Sequence, residues 1–207
     1  LDTMVPISAE NAAISRDGEN YPASVPLEAG SSLSVDTLLR LTFLPSASAS
    51  CIVMADYISG SEEVFVRRMN ETAQRLGMTA EYENSHGAHV HYMTARSQAI
   101  LVRECIQRFP EMLEYTSATS VTLEDGRTYE NTNGLLPGGE YEYEGADGLK
   151  TGTIPEAGCC LSATAERDGR RVISVVMHSD DNETRHTDSI ALLDYGFEAL
   201  ELLEGAG

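Results

Sequence analysis

Two apolar runs, residues 158–166 and 171–178, are separated only by Arg167-Asp168-Gly169-Arg170. An Asp-Gly pair between apolar runs is a hairpin signal, because the two-residue type I′ turn needs positive φ at both central positions and these residues tolerate it. The chain must therefore build an antiparallel sheet around this pair, and the rest has to cover it. From about Thr184 to Leu203 the apolar residues Ile190, Leu193, Phe197 and Leu200 recur at helical spacing. That spacing predicts an amphipathic helix that returns onto the sheet.

Upstream, the grammar is mostly helical. Residues 1–36 scatter Pro6, Gly18, Pro22, Pro26 and Gly30 among polar residues, which predicts a loop-rich lead-in. Ser34 reads as an N-cap before Val35-Asp36-Thr37-Leu38-Leu39-Arg40-Leu41, a helix that Pro45 stops. A second helix runs over about Ala49–Ile58 and ends at Gly60. A third opens at Ser61-Glu62-Glu63 and carries Val64, Phe65, Met69, Ala73 and Leu76 on its apolar face. The fourth spans Thr94–Phe109, with Ile100, Leu101, Cys105 and Ile106 inward. Residues 114–146 carry strand and turn signals, including a hairpin at Asp125-Gly126 and a turn at Pro137-Gly138-Gly139. The expected fold class is α/β of the α+β type: a helical subdomain over about 34–112, then a sheet and C-terminal helix over about 114–207.

Composition narrows the partners. The 33 acidic residues against 14 basic ones give a formal charge of −19, which repels phosphate backbones and argues against nucleic acid. No stretch approaches the roughly 18 apolar residues of a membrane span. The four cysteines lack C-x-x-C spacing and read as small core residues. His86, His89 and His91 lie close together but in a polar loop without a carboxylate pattern, so neither a metal nor a cofactor is expected. Glu140, Glu142 and Glu144 read as a solvated face, and the Asn-x-Thr triplets at Asn70 and Asn182 carry little weight. Lys150 is the single lysine among the 14 basic side chains.

That lysine lies in Asp147-Gly148-Leu149-Lys150-Thr151-Gly152-Thr153, ahead of the apolar hairpin. Lys-Thr-Gly on a strand is one element of the signature of penicillin-binding proteins and class A β-lactamases. Other segments extend the match in order and spacing: Pro45-Ser46-Ala47-Ser48-Ala49-Ser50 before a helix, Ser85-His86-Gly87, His91-Tyr92-x-Thr94-Ala95, Asn131-Thr132-Asn133-x-Leu135-Leu136 and Leu192-Leu193-Asp194-Tyr195-Gly196-Phe197. Over essentially its whole length the chain resembles the D-alanyl-D-alanine carboxypeptidases, the low-molecular-mass penicillin-binding proteins of serine peptidase family S11. The resemblance implies a β-lactamase/DD-peptidase-like fold and a partial transpeptidase-like catalytic domain over 1–207.

The resemblance also implies roles. Lys150 would line the cleft as a fixed cation and favour proton transfer from neighbouring hydroxyls. Thr151 would bond the substrate's terminal carboxylate, Gly152 would let substrate approach the strand, and the Thr153 N–H would serve as an oxyanion donor. Ser46 matches the family's proton-relay serine. Position 48, an amide in the family pattern, is Ser48 here, which offers one donor where an amide offers two. Arg185 matches an arginine that faces the substrate carboxylate, a task suited to a bidentate guanidinium.

One family element has no match. The nucleophile is the serine of Ser-x-x-Lys, one helical turn ahead of its lysine base. The residue three positions before the only lysine is Asp147, so the chain contains no Ser-x-x-Lys. In the family pattern that helix and the first two sheet strands precede Leu1. The expectation is a truncated domain, inactive alone, whose strand at 171–178 has an unpaired edge. By resemblance the partners are peptidoglycan stem peptides or β-lactams, outside the cytoplasmic membrane of a bacterium. Membrane anchoring would come through a further C-terminal region. The alternatives are a non-catalytic module that holds D-Ala-D-Ala or penicillin and, disfavoured by the match after Lys-Thr-Gly, a class A β-lactamase fragment.

Overall fold

The computed structural model describes residues 1–21, 25–88 and 91–205. The elements in chain order are β1 (Met4–Pro6), α1 (Ala9–Ile14), β2 (Ser32–Ser34), α2 (Val35–Phe43), α3 (Ser48–Ser59), α4 (Glu62–Arg75), β3 (Ala80–Glu81) and β4 (Tyr92–Met93). There follow α5 (Ala95–Arg108), α6 (Met112–Thr116), β5 (Ser120–Thr122), β6 (Thr128–Glu130), β7 (Ala146–Ile154), β8 (Gly158–Arg167), β9 (Arg170–Ser179) and α7 (Asn182–Gly205). They form two compact units, Leu1–Met93 with Ser120–Thr132 and Thr94–Thr119 with Asn133–Gly207.

In the first unit, local chemistry sets the helix ends. The Ser34 side chain accepts from the Thr37 N–H to cap α2, and Ser61 accepts from Val64 to cap α4. Gly60 ends α3 at φ 82°, where a Cβ would strain the backbone. α3 buries Ser48, Ala49, Ser50, Ile52, Val53 and Ala55, so it is covered on nearly all sides, which suits its small residues. α4 is the opposite case. Of its expected apolar face only Ala73 is buried, while Val64, Phe65, Met69 and Leu76 are half-buried. The lead-in holds more order than its composition suggests: β1 pairs with β2, and α1 forms because Ser8 caps it and Asn11 and Ala12 are buried. Burial here overrides weak local propensity. The Asp125-Gly126 signal gives the β5–β6 pair as expected.

The second unit is built on a sheet of order β7-β8-β9. Asp168 and Gly169 have φ of 51° and 73°, the positive pair that a type I′ turn requires, and Arg167 pairs with Arg170 across it. Five successive β8 residues, Leu161–Ala165, are buried, so both faces of that strand are covered. α7 and α5 both pack against β8 and β9. α5 thus belongs with the sheet, although the sequence placed residues 94–109 with the helical layer. Periodicity tells which face of a helix is apolar, not what covers it. Its buried residues are Ser97 and Val102, whereas Ile100, Leu101, Cys105 and Ile106 are half-buried. Among the described residues β9 pairs only with β8, which leaves its other edge open, as expected.

The core under α7 joins Leu135, Tyr143, Leu161, Ala163, Ala165, Leu193 and Phe197. Gly196 lets the helix approach the sheet, since a Cβ there would meet Val172 Cγ1 at 2.4 Å. Gly196→Ala is expected to cost about 1–3 kcal/mol through overpacking. Thermal unfolding measures this, and an unchanged Tm would contradict the close approach. Arg167 stacks over Tyr143 and Phe197 at 4.4 and 4.7 Å, while the Tyr143 hydroxyl donates to Asp194 at 2.7 Å. Desolvation, and then that carboxylate, push the phenol up to about 12.

Candidate active site

β7 presents Lys150, Thr151, Gly152 and Thr153 opposite Ser162, Leu161, Cys160 and Cys159 of β8. Residues opposite one another share a face, and successive residues alternate. Lys150 therefore lies on the Ser162–Thr164 face, while Thr151 and Thr153 lie on the Leu161–Ala163 face, against α7. Lys150 is half-buried and its Nζ donates to the Thr151 carbonyl at 2.9 Å. Thr151 is buried, whereas Gly152 and Thr153 are exposed. A Cβ built on Gly152 meets nothing within 4 Å, so the space beside this residue is open.

Arg185, in the first turn of α7, is only 7% exposed. Its Nη1 donates to Thr153 Oγ1 at 2.9 Å, to the Gly152 carbonyl at 3.3 Å and to the Cys160 carbonyl at 3.4 Å, and its Nη2 donates to Asn182 Oδ1. Among the described residues Nε has no partner and no carboxylate pairs with this guanidinium. Burial pulls its pKa down, with Cys159 and Cys160 acting in the opposite sense. A buried cation at the positive end of a helix dipole lacks its compensating charge, and an anion would supply it.

His186 beside it was not singled out by sequence. It is fully buried and stacks on Tyr141 at 4.6 Å. Nε2 accepts the Gly134 N–H at 3.1 Å while Nδ1 lies 2.6 Å from the Asn182 carbonyl, so the partners fix the neutral Nδ1–H form. Burial lowers the imidazole pKa first; the Asn182 carbonyl raises it, Arg185 lowers it and Glu140 raises it. The folded state thus binds the proton less readily than the unfolded chain, which takes it up near pH 6.5. Stability is full above about pH 6.5 and declines as pH falls toward the depressed folded pKa. Between pH 7.5 and 5 the Tm of the parent chain should fall further than that of His186→Gln; equal falls would remove His186 as the cause.

The other two candidates lie in the first unit. Ser46 precedes α3 with φ 63°, a left-handed conformation that costs a non-glycine residue about 1–2 kcal/mol. Ser48 opens α3 and is 4% exposed. The structure thus gathers Lys150–Thr153 with Arg185 in one unit and Ser46 with Ser48 in the other. In the histidine loop, His91 Nε2 lies 3.0 Å from Asn84 Oδ1 and its ring packs on Tyr82; burial lowers its pKa, against Glu83. His86 packs on Tyr21, with Nε2 4.0 Å from Glu62. His89 and Pro22 lie outside the described residues. The four cysteines form no disulfide and are half-buried rather than core residues, and burial raises the Cys105 thiol pKa. No described helix is long and apolar enough to cross a membrane.

A family model for D-alanyl-D-alanine carboxypeptidase, Peptidase_S11, matches residues 1–181. D-alanyl-D-alanine carboxypeptidase DacC of Escherichia coli is 34% identical over 204 residues, covering 97% of this chain and 50% of that protein. A solved structure from Streptococcus pneumoniae, a peptidoglycan synthesis regulatory factor (PBP3), superposes with a TM-score of 0.86 at 31% identity, over 94% of this chain and 57% of that one. Penicillin-binding protein D2 of Listeria monocytogenes, in its cefotaxime-bound form, superposes with a TM-score of 0.74 at 32% identity, over 95% and 74%. The chain spans about half the length of the curated relatives it matches. A family match over most of the sequence, with structural likeness over nearly all of it, makes this chain a member of the D-alanyl-D-alanine carboxypeptidase family, S11.

Proposed function

We propose that these residues are part of the catalytic domain of a serine-type D-Ala-D-Ala carboxypeptidase that acts on peptidoglycan stem peptides outside the bacterial cytoplasmic membrane. The observation that carries this reading is Arg185: a buried guanidinium with no carboxylate partner among the described residues, bonded to Thr153 Oγ1 and the Gly152 carbonyl at the Lys-Thr-Gly strand. Such a cluster recognises a terminal carboxylate, with Thr151 and Arg185 as binding groups and the Thr153 N–H as an oxyanion donor. Lys150 is the cleft cation, Ser46 the proton relay and Ser48 a substrate contact. The serine that would be acylated has to come from outside these 207 residues, because the sequence contains no Ser-x-x-Lys. β-Lactams, one of which is held by the Listeria relative, are the second ligand class.

A second reading is a module that holds D-Ala-D-Ala ends or penicillin without cutting them. It is favoured by one fact: the Arg185 cluster lies entirely within one compact unit. Calorimetric titration with an acyl-D-Ala-D-Ala peptide tests both readings. Heat is expected with the free carboxylate and not with the C-terminal amide. Absence of heat with either peptide removes carboxylate recognition.

A further inference from the structure

Asp147 stands where the serine of a Ser-x-x-Lys would stand, and its side chain has another task. In β7 the pairing moves from Ala146↔Ala165 to Gly148↔Thr164, so Asp147 is an extra residue with no partner on β8. A bulge of this kind resets the alternation of everything after it. Lys150 faces the Ser162–Thr164 side only while the extra residue stays at 147. A slip by one residue would turn Lys150 toward Leu161 and Ala163, into the core under α7.

The bulge is held from three directions. Arg171 on β9 reaches across β8 to grip both Asp147 oxygens at 2.8 and 2.7 Å, and on the way it donates to Thr164 Oγ1 at 2.8 Å and Glu166 Oε2 at 2.7 Å. All three strands are thereby strapped together at the irregularity. Thr116 Oγ1 donates to the Asp147 carbonyl at 2.9 Å, and Asn133 Nδ2 donates to the Gly148 carbonyl at 3.0 Å. These bonds occupy backbone acceptors where the ladder is disrupted. Gly148 fits beneath Thr116, where a Cβ would lie 2.7 Å from its hydroxyl.

We propose that Asp147 and Arg171 are positioning residues: their bidentate pair pins the β7 bulge and so sets the face of the strand from which Lys150 projects. The use of that position in catalysis rests on the carboxypeptidase reading; the pinning itself does not.

Because Lys150 is the only lysine, carbon-13 lysine incorporation gives one side-chain Cε resonance and a direct spectroscopic readout. Asp147→Asn and Arg171→Gln are both expected to displace that resonance, and the double variant should add little to either single displacement. Arg167→Gln removes the cation over Tyr143 and Phe197 in the same unit, and should lower the Tm while leaving the resonance in place. An unmoved resonance in folded Asp147→Asn, or an equal displacement in Arg167→Gln, overturns the proposal. Should the Asn variant not fold, Asp147→Glu keeps the charge on a longer arm; a displaced resonance supports the pinning and an unmoved one overturns it. Peptide titration of the same samples should show binding weakened by about 10²-fold in Asp147→Asn, the scale of an ångström-level misplacement. If the parent chain gives no heat, the carboxypeptidase reading fails while the Lys150 resonance still decides the pinning.

Discussion

Incubated with a fluorescent penicillin, the 207-residue chain is expected to remain unlabelled. Acylation needs a hydroxyl and a base held against it, and in this family both come from one helix turn. The only lysine here has Asp147 three residues before it, and that carboxylate is a poor nucleophile engaged by Arg171 at 2.7 and 2.8 Å. Loss of the nucleophile in a serine hydrolase costs roughly 10⁶ in turnover, which leaves at most what the binding groups contribute. Intact-mass spectrometry provides the check. A covalent penicillin adduct on any serine would show that another hydroxyl has taken the role, and would overturn the expectation of an inactive chain.

Arg185→Met is expected to move binding and stability in opposite directions. The arginine is buried, begins a helix and has no acidic partner among the described residues, so its charge is a desolvation burden in the unliganded protein. A hydrophobic side chain of similar length removes that burden, and such replacements of buried charge are often neutral or stabilising. Its acceptors at Gly152 and Thr153 belong to exposed residues and can turn to water. The Tm should therefore hold or rise. Affinity for an acyl-D-Ala-D-Ala carboxylate should fall by about 10²-fold, since a hydrogen bond to a charged group contributes roughly 1.5–3 kcal/mol. Unchanged affinity in a folded Met variant would remove Arg185 from the site. A large loss of Tm would instead mean that the guanidinium is a structural tie between α7 and β7.

Much of this protein is written in short-range chemistry. Ser34, Ser61 and Thr94 cap their helices with a hydrogen bond to a residue three positions on. Gly60 ends α3, and Asp168-Gly169 turns the hairpin. Each acts within a few residues of itself, so each is visible without any knowledge of the fold. The Lys-Thr-Gly strand and the segments around it were legible for the same reason, and with them the family. What the sequence concealed are partnerships between distant residues. α1 needed burial to form, and α5 needed the sheet to cover it.

Position 46 adopts its positive φ in a segment whose composition, serine and alanine, does not ask for it. Asp147 and Arg171 lie 24 residues apart, and His186 meets Gly134 across 52. The sequence by itself determined the helix ends, the hairpin, the family and the absence of a Ser-x-x-Lys pair. Only the tertiary structure decided that Arg185 is buried with no acidic partner among the described residues, and that a bulge strapped by Arg171 turns Lys150 to its face. Caps and turns are fixed by bonds within a turn of chain. Register and burial depend on which strands meet, and alternation alone leaves that open until the chain has packed.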